Sequence, residues 1–169
     1  FESIKSLPQE NPVLLTTSDH ALLTSEVVDY FCTKAEESGC DFAIALAPYE
    51  TVMAAYPQTA RTGYRFKDGK YCSCNLFAFL TPKARGVPAF WRRIEQQRKN
   101  PLLVISALGW ITVLRYLVGG LSLPEAVEKI SGRLGCKVGF VVMPYPEAAI
   151  DVDSVQDWHL VQQIVAKRR

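Results

Sequence analysis

The sequence predicts an α/β fold built on a mostly parallel sheet, and three observations carry that expectation. Residues 41–47 and 136–143 are continuous apolar runs, the composition of strands covered on both faces. A further β-branched run, Val13-Leu14-Leu15-Thr16-Thr17, precedes a stretch with helical periodicity and then the 41–47 run. Strand, helix, strand in that order is a parallel unit. With 169 residues, 49% of them hydrophobic, the chain has the length of one domain and can bury a substantial core.

Each element has a local reason. Thr24 is the expected N-cap of a helix to about residue 38, with Val27, Val28, Phe31 and Ala35 as its apolar stripe and Gly39 at its end. Residues 49–56 read as a short helix closed by Pro57. Residues 61–66 and 71–80 flank Asp68-Gly69, a hairpin signal. Arg61, Arg65 and Lys67 alternate along the first arm and fall on one face. That pattern suits either a solvated edge strand or a phosphate contact.

Residues 82–101 read as a helix with Phe90, Trp91 and Ile94 inward. The most apolar stretch follows at 101–118, ending in Gly119-Gly120. Its roughly 17 residues are interrupted by Arg115, so no transmembrane span is expected. The segment 102–118 suits a core helix or the interface of a homodimer, with a membrane-surface contact as the alternative. Pro124 opens a helix over 123–134. Ser154 and Asp157 form a variant capping box before the last helix, whose apolar side is Val155, Trp158, Val161, Ile164 and Val165.

Charge and cysteine usage exclude several classes. Nineteen Lys and Arg against seventeen Asp and Glu give a net +2, too balanced for a nucleic-acid partner. Five cysteines without paired spacing fit reduced thiols of a cytoplasmic protein, although Cys72 and Cys74 share one strand face and form a minor metal-pair candidate. Residues 1–12 lack the basic and apolar regions of a secretory leader.

Two acidic places carry chemistry. Asp19 follows the first strand, where ligands collect in open α/β sheets. Asp151-Val152-Asp153 precedes the capped last helix, and its extended spacing puts both carboxylates on one face. Helix entry alone would explain either place. Carboxylates from two distant strand tips also suit Mg²⁺, which takes one or two of them and completes its shell with water and phosphate oxygens.

These residues bring a family into view. Thr17-Ser18-Asp19-His20-Ala21-Leu22-Leu23-Thr24 resembles the strand-end motif of the MobA-like nucleotidyltransferases, which include molybdenum-cofactor guanylyltransferase and related sugar-phosphate nucleotidyltransferases. Asp151 to Asp157 is similar to the family's closing segment, and Ser73-Cys74-Asn75-Leu76-Phe77-Ala78 to the strand that lines its acceptor pocket. The resemblance implies a three-layer, nucleotide-diphospho-sugar transferase (GT-A-like, Rossmann-like) architecture. It also implies Asp19 and Asp153 as catalytic Mg²⁺ ligands, and Asn75 as a substrate contact.

Asp151 is the reserve ligand in this reading. Arg61 is the first choice for a phosphate contact and Arg65 the second. His20, beside Asp19, suits substrate binding or packing. The implied reaction joins a nucleoside monophosphate from a triphosphate to a phosphorylated small-molecule acceptor, releasing pyrophosphate. The family's Gly-rich loop and downstream Lys have no counterpart in residues 1–169, so the sequence reads as the C-terminal two-thirds of such a domain. Two alternatives stay open: a GT-A-type glycosyltransferase using Asp151-Val152-Asp153 as its metal motif, and a non-catalytic binding module without the nucleotide loop.

Overall fold

The computed structural model describes residues 7–8, 11–96 and 109–168, the side chains of 91 and 93–96 excepted. The chain runs β1 (Val13–Thr16), α1 (Ser25–Glu37), β2 (Phe42–Pro48), α2 (Tyr49–Ala55), β3 (Tyr64–Phe66) and β4 (Gly69–Phe79). A 3₁₀ turn (Pro82–Gly86) leads into α3 (Val87–Gln96). After it come α4 (Trp110–Leu117), α5 (Leu123–Leu134), β5 (Val138–Val142), a second 3₁₀ turn (Pro146–Ala149) and α6 (Val155–Lys167). The helices expected from Thr24, Tyr49, Leu123 and Ser154 agree closely, the Thr24 and Ser154 hydroxyls accepting the backbone N–H groups of Val27 and Asp157. The helix expected from Pro82 instead opens as a 3₁₀ turn and becomes α-helical only at Val87. Residues 97–108, which hold the first part of the expected 102–118 helix, lie outside the described residues.

The sheet is mixed, where a mostly parallel one was expected. Its order is β1-β4-β2-β5, with β3 paired to the beginning of β4. Among the described residues only β2 and β5 are parallel neighbours; β4 is antiparallel to β1, β2 and β3. The cause is local. The tight turn at Lys67-Asp68, one residue before the expected Asp68-Gly69, sends the chain straight back, so β4 must oppose β3, and β4 then slots between β1 and β2. One reversed strand leaves β1, β2 and β5 pointing the same way, with their carboxyl ends along one rim.

Alternation along the strands builds a core on each face. On one side Ala43, Ala45, Cys74, Leu76 and Val141 meet Phe31 of α1, Val52 of α2 and Leu160 of α6. On the other, Phe42, Leu46, Phe79 and Val138 meet Val87 of α3 and Leu123 and Val127 of α5. Helices therefore cover both faces. Cys72 and Cys74 do share a face and are both buried in the first core. Burial pushes both thiols up from their ordinary values, keeping them protonated.

α5 is closed at both ends by its own sequence. Ser122 and Glu125 complete a capping box, and Gly135 takes the left-handed conformation (φ 65°) that ends the helix. The Ser122 N–H, then Arg115 and the Ser122 hydroxyl, pull the Glu125 carboxyl down to about 2. The unfolded chain titrates this group near pH 4.3, so its contribution is complete above about pH 5 and fades as pH falls toward 2. Glu125→Gln is expected to lower the melting temperature at neutral pH and to flatten its fall between pH 5 and pH 2, as read by calorimetric scans.

Tyr116 of α4 packs edge-on against Phe66 of β3, with ring centroids 5.7 Å apart. The opposite side of α4 leaves Trp110, Ile111, Leu114 and Leu117 exposed. Among the described residues no helix is long and apolar enough to cross a membrane.

Candidate metal and acceptor site

The rim formed by the carboxyl ends of β1 and β5 gathers the acids from both ends of the sequence. β1 ends at Thr16, and the following turn presents Asp19. Past β5 and its 3₁₀ turn, residues 151–153 run alongside that turn, and the Val152 N–H donates to the Asp19 carbonyl at 3.0 Å. One backbone bond at the centre of Asp-Val-Asp thus sets Asp151 and Asp153 beside Asp19. Asp19, Asp151 and Asp153 each offer a carboxylate oxygen, all within 4.8 Å of one another. The fold thus sets residue 19 beside residues 151–153 across more than 130 positions of sequence.

The three acids are not equivalent. Asp151 is engaged from two sides: the Arg61 guanidinium forms an ion pair at the buried Oδ1, which accepts no hydrogen bond, and Oδ2 accepts from Asn75 Nδ2 at 2.8 Å. Asp153 is exposed. Asp19 Oδ1 is buried and has no hydrogen-bond partner. A buried carboxylate oxygen without a donor is costly, and a cation between the acids would satisfy it. This donor set, all hard oxygen, fits a hard divalent ion such as Mg²⁺.

Asn75 reaches Asp151 because β4 is irregular at this point. Between the pairs Ile44–Phe77 and Leu46–Ser73, β4 advances four residues while β2 advances two. Asn75 sits in that bulge with φ +50°, a left-handed conformation that Asn tolerates better than most residues. Ser73 steadies it: the Asn75 N–H donates to Ser73 Oγ at 3.3 Å, and Ser73 Oγ lies 3.3 Å from Asn75 Oδ1. Bulges commonly re-aim a side chain next to a site, and this one turns the amide onto Asp151.

Arg61 lies before β3, in the connection from α2, and its side chain is only 8% exposed. Nε donates to Thr59 Oγ1 at 3.0 Å, Nη1 pairs with Asp151, and Nη2 donates to the Asp151 carbonyl at 2.8 Å and to Asp157 Oδ1 at 2.9 Å. Three of the five guanidinium donors thus hydrogen-bond to protein partners, and Nη1 adds the ion pair. Asp157 was legible only as a capping acid. It does take the Ser154 hydroxyl at 2.7 Å, and it also holds Arg61. Burial pushes the Asp157 carboxyl up, but hydrogen bonds from Ser154 and Arg61 outweigh it, so the group lies below the usual carboxylate range.

A polar cavity of about 190 Å³ opens beside the acids, with Arg61, Thr62, Tyr64, Ser73, Asn75 and Asp153 in its wall. Thr62, Tyr64 and Ser73 were not singled out in the sequence; only their neighbourhood to Arg61 and Asn75 could have marked them. Arg65 is exposed on β3 opposite Lys70 and does not line this cavity. His20 is buried, with Nδ1 3.2 Å from Thr16 Oγ1, and it too is outside the cavity wall. Burial lowers its pKa, offset in part by the Ala148 backbone and the Asp19 charge, so the ring is neutral at pH 7. A larger, mostly apolar cleft between α5 and β5 shares none of the site residues.

An α/β domain with clustered carboxylates at its strand ends, beside a small polar cavity, is the class that fold and site define together. No family model matches the chain, and no curated protein matches it. Among solved structures it is similar to a hypothetical transferase from Thermus thermophilus, with a TM-score of 0.81 and 33% identity. The similarity covers 92% of this chain and 66% of the other, so the chain spans just under two-thirds of that protein's length. The fold is transferase-like.

Proposed function

We propose that this chain is the metal- and acceptor-binding part of a Mg²⁺-dependent nucleotidyltransferase of the MobA-like kind, with the three-layer architecture of nucleotide-diphospho-sugar transferases. The observation that supports this most is the buried, unpartnered Asp19 Oδ1, set within 4.8 Å of two further carboxylates at the strand ends. Asp19 and Asp153 would hold the ion, with Asp151 oriented behind them by Arg61 and Asn75. When bound, Mg²⁺ supplies charge neutralisation for triphosphate oxygens and for the departing pyrophosphate.

The chain's own residues position the acceptor. The cavity wall offers the Ser73 and Tyr64 hydroxyls and the Asn75 amide, which can orient a small polar acceptor so that its nucleophilic oxygen faces the α-phosphorus. That oxygen forms the new P–O bond, and the bond to the β-phosphate oxygen breaks with pyrophosphate leaving. Phosphoryl transfer asks little covalent work of a protein; placement and electrostatics do most of it. In this reading the backbone amides that cradle the nucleotide phosphates are supplied by residues outside this sequence, and the chain is the C-terminal two-thirds of the domain. A glycosyltransferase using Asp151-Val152-Asp153 as its metal pair is less well supported, because Arg61 and Asn75 already engage the Asp151 carboxylate.

The test is Mg²⁺-dependent pyrophosphate release by the natural full-length polypeptide, offered each nucleoside triphosphate with a panel of sugar phosphates. Release that falls at least a hundredfold in both Asp19→Ala and Asp153→Ala supports the assignment. Release indifferent to both moves the metal site elsewhere. No release with any pair leaves the non-catalytic binding module as the better reading.

A further inference from the structure

We infer that Arg61 is a positioning residue: it holds the Asp151–Asp153 segment in its metal-binding arrangement and ties that segment to the wall of the acceptor cavity. The inference rests on the metal reading above. It starts from the connection between α2 and β3, which lacks regular hydrogen bonding over residues 60–63 and still contributes Ala60, Arg61 and Thr62 to the cavity, next to Tyr64 at the start of β3. Arg61 anchors this connection through contacts distant in sequence. Its Nη2 bond to Asp157 spans 96 residues and its bond to the Asp151 carbonyl spans 90.

The guanidinium fork is suited to this task. A planar cation can satisfy a carboxylate, a carbonyl and a second carboxylate at once, which an ammonium cannot do from one position. Asp157 carries the tie onward, because its other oxygen takes the Ser154 hydroxyl that caps α6. Arg61 therefore fixes the residues on both sides of Asp153: Asp151 before it and the first turn of α6 after it. Without the guanidinium, Asp151 and Asp157 would be two more unneutralised carboxylates beside Asp19 and Asp153. Their mutual repulsion would drive the 151–157 segment away from Asp19. Groups that orient ligands in this indirect way commonly change metal affinity by about 10–100-fold when removed.

The test measures Mn²⁺ affinity, by calorimetric titration and by loss of the free-ion EPR signal, on the full chain and on Arg61→Lys, Arg61→Met and Asp157→Asn. Thermal melts in chelator run alongside. Arg61→Met is expected to weaken Mn²⁺ binding at least tenfold. Arg61→Lys should weaken it as well, although it keeps the charge and melts closer to the parent, a split that a merely structural role would not give. Asp157→Asn leaves the guanidinium in place but loosens it, and a severalfold loss of affinity is expected even if the Arg61 variants fail to fold. Affinity within twofold of the parent in a folded Arg61→Met, or in Asp157→Asn, overturns the positioning role and leaves the metal site standing. Absence of Mn²⁺ binding by the parent overturns the metal reading and this inference with it.

Discussion

Asp19→Asn is expected to melt at or above the parent's temperature in chelator and to lose the upward shift that Mg²⁺ or Mn²⁺ gives the parent. The structural work at this position belongs to the backbone, whose carbonyl takes the Val152 N–H, and an amide side chain preserves it. The carboxylate itself is a burden without a cation. Its Oδ1 is buried and unpartnered, and it faces two like charges within 4.8 Å. At an effective dielectric of 20, a pair at that separation repels by on the order of 3 kcal/mol before screening. The amide removes that repulsion and adds a donor toward Asp151 and Asp153. In the parent, an ion at about 100 times its dissociation constant stabilises the folded state by about 2.7 kcal/mol. For a chain of this size that is a rise of roughly 5–10 °C. Dye-monitored melts with and without the ion read both effects. A variant that melts lower in chelator yet keeps the full ion-induced rise would remove Asp19 from the site.

The second large effect separates two acids that are neighbours in sequence. Asp151→Ala leaves a guanidinium that is 8% exposed with one carboxylate where it had two, and leaves the Asn75 amide without its acceptor. Breaking a buried pair from one side costs about 3–5 kcal/mol. Asp157 still compensates Arg61, which puts the expected loss near the lower figure and the fall in melting temperature at roughly 6–12 °C. Asp153→Ala removes an exposed group and is expected to stay within about 0.5 kcal/mol of the parent, while losing the response to the ion. Equal melting temperatures for the two variants would mean that the Arg61 contacts do not hold this end of the molecule.

That contrast marks where sequence reasoning stopped. Asp151 and Asp153 look alike in Asp-Val-Asp, and the spacing does place both on the rim with Asp19. What divides them is a cation 90 residues away, and no local pattern announces such a pair. Arg61 itself illustrates the converse. Alternation with Arg65 and Lys67 suggested one shared face, but Arg61 precedes β3 and turns inward while Arg65 stays exposed. The helices were legible because caps and apolar stripes are local: Thr24, Ser122 and Ser154 do what their positions suggest. The strands were legible too, but not their order. A hairpin turn at Lys67-Asp68 fixes the direction of β4 relative to β3 and says nothing about which strands will flank it. The bulge at Asn75 leaves the alternation of Cys72, Cys74 and Leu76 intact, so no break in the pattern betrays it.

The insertion of β4 between β1 and β2 also sets when the site can exist. β1 has no partner until residues 76–79 arrive, and β2 acquires its parallel neighbour only with residues 138–142. Pairings of such long range are slow to form, because the chain loses loop entropy before the contacts compensate it. Asp151, Asp153 and Asp157 come later still. A polypeptide emerging during synthesis can complete most of its sheet while Asp19 waits without company. In the proposed reading an ion can bind only once residues 151–153 have joined Asp19, so the onset of binding would time that step.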